Sequence, residues 1–167
     1  MIVMKKWMSI PYPFLLEDRL NRLKVTSFVL VFVFLFLIIF QPFEIHKVPT
    51  ISVTSCALIY AFTSGFSAYV GVTMLVKLSP TYANDQSWNI GKEILMMLAI
   101  LLFVSLANFV VSVSLDIHPD KGATLIDLAA LAVTRTFSVG FFPVMGITFL
   151  NYTILLKRNL QRAEKHN

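Results

Sequence analysis

Four long apolar runs, with nearly every charge confined to the gaps between them, limit what this chain can fold into. They are 25–40, 51–76, 94–115 and the second half of 125–156. A helix rises 1.5 Å per residue, so roughly 20 apolar residues match the ~30 Å hydrocarbon core of a bilayer. Four such runs take up about half of the 167 residues and leave no material for a soluble domain. The sequence therefore predicts an all-α polytopic membrane protein, a four-transmembrane-helix bundle. Its spans are placed at about 25–42, 51–76, 94–115 and 137–156. An interfacial segment, 1–24, precedes them and a cytoplasmic helix, 157–167, follows.

Composition and charge fit that class. Hydrophobic residues make up 57% of the chain and charged ones 14%, with a mean hydropathy of +0.76; soluble proteins are about 25% charged. The net charge of +5 would suggest a nucleic-acid partner in a soluble protein, but its placement points to topology. Lys5, Lys6, Arg19, Arg22 and Lys24 precede the first span, and Lys77 and Lys92 flank the connection between the second and third. Lys157, Arg158, Arg162 and Lys165 follow the last span, whereas Lys47 and Lys121 stand alone in the other two connections. Basic residues are retained on the cytoplasmic side, which predicts that both termini are cytoplasmic, as an even number of crossings requires. Gln41-Pro42-Phe43 after the first span offers no signal-peptide cleavage site. Cys56 is the only cysteine, so no internal disulfide can form, and it reads as a small packing residue.

Before the first span, Pro11 and Pro13 prevent a continuous helix. The mixture of aromatic and basic residues there predicts a segment lying on the membrane surface. Trp7, Lys24, Trp88, Lys157 and Arg158 are the expected interface anchors, by their aromatic rings or snorkelling cations. The second span is studded with small residues, and Ala57, Ala61 and Gly65 recur every fourth position. Such a stripe lets another helix approach closely, so this span is the expected central packing helix. Pro80 and Asn84-Asp85 mark the inner turn, and 116–122 a tight outer one. The fourth apolar stretch exceeds one crossing. Counting back about 20 residues from Leu156 puts its membrane entry near Phe137 and leaves Arg135 and Asp127 at the outer interface. Pro143, between Gly140 and Gly146, predicts a kink. The tail residues Leu156, Leu160, Ala163 and Asn167 have the spacing of one coiled-coil heptad.

No catalytic pattern is visible: no Gly-rich phosphate loop, no His-Glu-x-x-His, no cysteine pair and no Gly-x-Ser-x-Gly. The chain is read as a non-enzyme that needs no cofactor or metal. His46 and His118 share the outer loops with Glu44, Asp116 and Asp120. They are taken first as ordinary loop polarity and second as a pH- or metal-sensing cluster. Asn108 is the most polar side chain well inside a span and reads as interhelical glue ahead of a ligand contact. Asp127 and Arg135, about 12 Å apart along a helix, read as independent anchors rather than a pair.

Several strings, taken together and in order, resemble a known family. They are Pro11-Tyr12-Pro13-Phe14, Phe40-Gln41-Pro42-Phe43, Trp88-Asn89-Ile90-Gly91-Lys92-Glu93-Ile94, Phe142-Pro143-Val144 and Leu155-Leu156-Lys157-Arg158-Asn159-Leu160. The chain resembles, over essentially its whole length, the membrane-embedded N-terminal region of bacterial LytTR-type transcriptional regulators. That resemblance implies a bacterial inner-membrane location and a four-helix module joined by a helical linker to a mostly β DNA-binding domain. Such a domain would begin where this sequence ends, so the resemblance implies either a truncated or split regulator or a membrane module that acts alone. None of the family's DNA-contacting residues has a counterpart here, and DNA would be met only through the absent domain.

The functional expectation is thus a membrane anchoring and sensory module. A change at the outer loops or within the bundle would shift or rotate the last span and so alter its cytoplasmic helix. Asn108, Asp127, Arg135 and Pro143 are the candidate sensing or packing residues. The bilayer is the expected partner, with a homodimer formed through the C-terminal helix or the small-residue face. The competing expectation is a stand-alone transporter or channel subunit, which would line a path with polar residues at mid-membrane.

Overall fold

The computed structural model describes residues 14–48, 51–79, 88–117 and 122–164. Four helices account for most of them: α1 (Arg19–Phe40), α2 (Val53–Leu78), α3 (Ile90–Ser114) and α4 (Leu125–Glu164). Short 3-10 turns at Leu15–Glu17 and Pro42–Lys47 lead into and out of α1. Each of the four helices is long and apolar enough to cross a membrane. The all-helical, four-helix architecture is that of a membrane protein.

Each helix starts where a polar side chain takes over an amide left free by the first turn. Asp18 accepts from the Asn21 amide at 3.1 Å, Ser52 from Ser55 at 3.2 Å and Asn89 from Lys92 at 3.0 Å. At α4 the exchange is mutual. Asp127 accepts from the Thr124 amide at 3.0 Å, and the Asp127 amide donates to the Thr124 hydroxyl at 3.3 Å. Hydroxyls on the exposed side of α4 turn back onto their own helix. Thr134, Ser138, Thr148 and Thr153 each donate to the carbonyl four residues earlier, as a hydrocarbon-facing hydroxyl must.

The small-residue stripe does what its spacing predicts. Cys56, Ala57 and Ala61 are wholly buried. A Cβ added at Gly65 would come within 2.8 Å of the Leu30 Cβ and 3.3 Å of the Thr26 carbonyl oxygen. Only a residue without a Cβ lets α1 lie that close. α2 packs most extensively on α1; α3 on α4 and α2 on α3 follow, and of the neighbouring pairs α1 and α4 meet least. The bundle therefore closes through three tight joints and one loose one. At the loose joint Phe142 of α4 meets the Phe32 and Phe36 rings at 6.4 and 5.9 Å. Large apolar side chains such as Phe28, Phe62, Phe66, Leu106 and Phe149 cover the outside, the surface a lipid-facing bundle presents.

One expectation needs correcting and one boundary needs a distinction. The membrane entry expected near Phe137 is separate from the start of the fourth helix. That helix starts at Leu125 and runs unbroken for 40 residues, because the Thr124–Asp127 cap offers a start well before the last turn of apolar sequence. It also continues through Pro143, whose missing N–H leaves the Val139 carbonyl without its helical donor. Trp88 is not an exposed interface anchor. It is 1% exposed, because a buried carboxylate accepts its indole N–H and Phe14 covers its ring. Lys24 and Lys157 are exposed, as anchors must be. Trp7, Pro11, Pro13, the Pro80 and Asn84-Asp85 turn, His118 and Asn167 lie outside the described residues, as do the side chains of Arg158, Leu160 and Ala163.

Candidate functional site

Among the described residues, the polar side chains that bond between elements inside the bundle form three groups, one at each end and one at the middle, and α4 takes part in all of them. At the middle, the Asn108 amide donates to the Ser64 hydroxyl and to the Thr136 hydroxyl, both at 3.2 Å. Ser64 returns a longer bond of 3.5 Å to the Asn108 carbonyl oxygen. One side chain on α3 thus ties α2 and α4, the gluing role its depth in the span suggested.

At the end where α1 begins, Glu93 is 3% exposed. One carboxyl oxygen accepts from the Trp88 indole at 2.7 Å and the other from the Asn151 amide at 3.2 Å. Phe14 stacks on Trp88 with ring centroids 4.1 Å apart. The segment before α1, the start of α3 and the far half of α4 therefore meet on a single carboxyl group. Arg22 is buried at the same end. One of its terminal nitrogens donates to the Leu16 and Glu17 carbonyls at 3.1 and 2.7 Å, and its Nε has no partner.

At the opposite end Arg135 reaches from α4 to the turn after α1. It donates to the Phe43 carbonyl at 3.1 Å with its guanidinium 5.4 Å from the Phe43 ring centroid. That turn is unusual. Gln41, Phe43 and Glu44 all lie at positive φ, between 42° and 61°, a region costly for residues that carry a Cβ. Close by, the Ile117 carbonyl accepts from Tyr60 and from Ser112, both at 3.0 Å. This pins the end of α3 to α2.

Between the ends runs a lumen of ≈ 130 Å³. Its wall is mainly apolar, with Arg22 at one end, Arg135 at the other and the Asn108 group between. Pro143 is part of the wall, beside Gly140 and Val144.

Asn108, Arg135 and Pro143 are thus brought to one lumen. Asp127 is left out, being exposed and occupied with capping its own helix. Arg135 and Asp127 do not pair. Ala57, Ala61 and Gly65 belong to the α1–α2 joint. Glu93, Asn151 and Arg22 were not singled out as a site from the sequence. Glu93 lies in one of the strings that carry the family resemblance, and a carboxylate entering an apolar span was the available signal. Among the described residues no three His, Cys, Asp or Glu side chains gather as a metal site would require. No protein-family model, no curated protein and no solved structure matches this chain.

Proposed function

We propose that the bundle is the membrane anchoring and sensory module of a LytTR-like transcriptional regulator, in which α4 carries the signal. The supporting observation is the reach of α4. Its 40 residues extend about 60 Å, twice the ~30 Å hydrocarbon core, and its sequence turns polar and basic from Lys157 onward. Along that length it is held at Arg135, Thr136 and Asn151 by the three polar groups. A change in any of them alters how α4 sits against α1–α3, and a rigid helix delivers that change to its far end. Two packings of similar energy, biased by a stimulus, are what such a relay requires. The family-like strings add support. Phe14, Phe43, Glu93 and Phe142, one from each of four strings, all stand at joints between elements.

On this reading both termini lie in the cytoplasm of a bacterial cell, and the output is DNA binding by a domain joined to or paired with α4. A fusion of the whole chain to a DNA-binding domain that works only as a dimer tests the relay. Arg135→Gln and Glu93→Gln should each shift reporter output severalfold at unchanged membrane abundance. Output indifferent to both substitutions sinks the relay. The coding frame beyond Asn167 tests the family: continuation into a basic, β-rich domain supports it, and an immediate stop with full function in the short product overturns it. The lumen gives some ground to the competing reading, a small transporter or channel subunit. Its polar lining at mid-bundle, however, is a set of side chains already bonded to one another.

A further inference from the structure

Among the described residues, the wall of the lumen carries two cations and no anion. Arg22 and Arg135 are its charged side chains, one at each end, and no Asp or Glu belongs to it. Arg22 is 9% exposed and Arg135 half-buried, and each keeps its Nε without a partner. Their other bonds go to neutral groups. Arg22 donates to the Leu16 and Glu17 carbonyls, and Arg135 to the Phe43 carbonyl, with the Phe43 ring against it. Two acids lie near without entering the wall. Glu93, buried at the Arg22 end, has both oxygens taken by Trp88 and Asn151. Glu44 acts on Arg135 from an exposed position, where solvent weakens its field. A guanidinium taken out of water without a counter-charge is costly, and here two share one apolar space.

The wall also limits which anion can answer them. Its volume of ≈ 130 Å³ is close to the ~150 Å³ cavity that takes up one benzene. That admits a monatomic ion beside each arginine and excludes an acyl chain. A multiply charged oxyanion needs several donors to replace its water, and the wall has few to give. Thr26 already donates to the Arg22 carbonyl, and Tyr60 and Ser112 to the Ile117 carbonyl. Both amide protons of Asn108 go to Ser64 and Thr136. Each end therefore offers little beyond guanidinium N–H groups in apolar surroundings. Such a site suits an ion that gives up its hydration cheaply, as halides other than fluoride do.

We propose that the lumen binds small, weakly hydrated monovalent anions of the halide class, one at the Arg22 Nε and one at the Arg135 Nε. Both contacts are charge-assisted hydrogen bonds. The ions neutralise the interior charge and so stabilise the folded bundle. The assignment goes beyond the regulator reading and does not depend on it.

The whole chain, purified in gluconate salts, is crystallised from lipid with sodium bromide, and the anomalous signal of bromide is mapped. Two peaks inside the lumen, one against each Nε, are the expected result. Arg22→Gln should erase only its own peak, and Arg135→Gln only the other. In micelles at fixed ionic strength, bromide in place of gluconate should raise the unfolding temperature saturably. Chloride should act at higher concentration, and fluoride and sulfate hardly at all. The Arg22→Gln, Arg135→Gln double variant should lose at least about tenfold in apparent bromide affinity. Peaks confined to the outer surface, a peak at one arginine alone, or a peak that survives loss of its own arginine overturns the assignment. Bromide in the crystal with no response in micelles is an adventitious ion only and overturns it too, as does a response that the double variant keeps. Stabilisation by phosphatidylglycerol that no halide reproduces overturns it in favour of lipid phosphate. Should the Gln variants fail to fold by circular dichroism, the bromide peaks and the salt series of the unsubstituted chain decide.

Discussion

At the scale of single residues, the bundle is specified by a few polar side chains whose partners are distant in sequence. Glu93 is the clearest. Its oxygens receive an indole N–H from five residues before it and an amide from 58 residues beyond. Glu93→Leu removes the acceptor of both and should lower stability by about 1–3 kcal/mol. Glu93→Gln should cost far less, because a primary amide can accept from Trp88 and donate to Asn151 Oδ1, which has no partner in the native chain. Thermal unfolding in detergent micelles measures both, and equal losses would show that the side chain acts by its charge alone. Sequence reading found Asn108 because a lone amide deep in an apolar run is conspicuous. It passed over Glu93 and Asn151, because each sits near the edge of a run, where polarity is ordinary. What distinguishes them is burial, and burial depends on the neighbouring helices.

At the scale of elements, small residues decide which helices touch. The every-fourth-residue stripe on α2 was legible because its spacing is that of one helix face. Gly65→Ala places a methyl 2.8 Å from the Leu30 Cβ, an atom that cannot swing aside. A loss of roughly 1–3 kcal/mol is expected. Gly146 has nothing within 4 Å of an added Cβ, so Gly146→Ala should instead raise stability by up to about 1 kcal/mol through helix propensity. The same unfolding measurement separates the two, and a harmless Gly65→Ala would refute the close α1–α2 approach. The start of α4 was not legible. A 20-residue crossing was counted back from its far end, but the local Thr124–Asp127 cap, not the thickness of a bilayer, sets where this helix begins.

At the scale of the whole molecule, four apolar helices and the small-residue joint could be read in advance, while the lumen could not. It exists because α1 and α4 pack less closely than the other neighbours, and no periodicity reports on a gap. The arrangement of the ends can be tested with the chain's own chemistry. Cys56 is wholly buried, so new cysteines can be labelled against a silent background. In sealed vesicles Asp18→Cys and Lys157→Cys should react with an impermeant maleimide from one side, and Glu44→Cys only from the other. Labelling of Asp18→Cys and Lys157→Cys from opposite faces would contradict an even number of crossings.

The turn at Gln41, Phe43 and Glu44 has a further consequence. Three side-chain-bearing residues held in a left-handed backbone store energy on the order of 1–3 kcal/mol each, and Arg135 holds the middle of that turn by its Phe43 carbonyl. If α4 relays a signal as proposed above, this loop is a loaded spring with α4 as its catch: a stimulus that pulls the guanidinium away would free the chain to unwind there, and the recoil would start at that end of the bundle and travel down the longest helix.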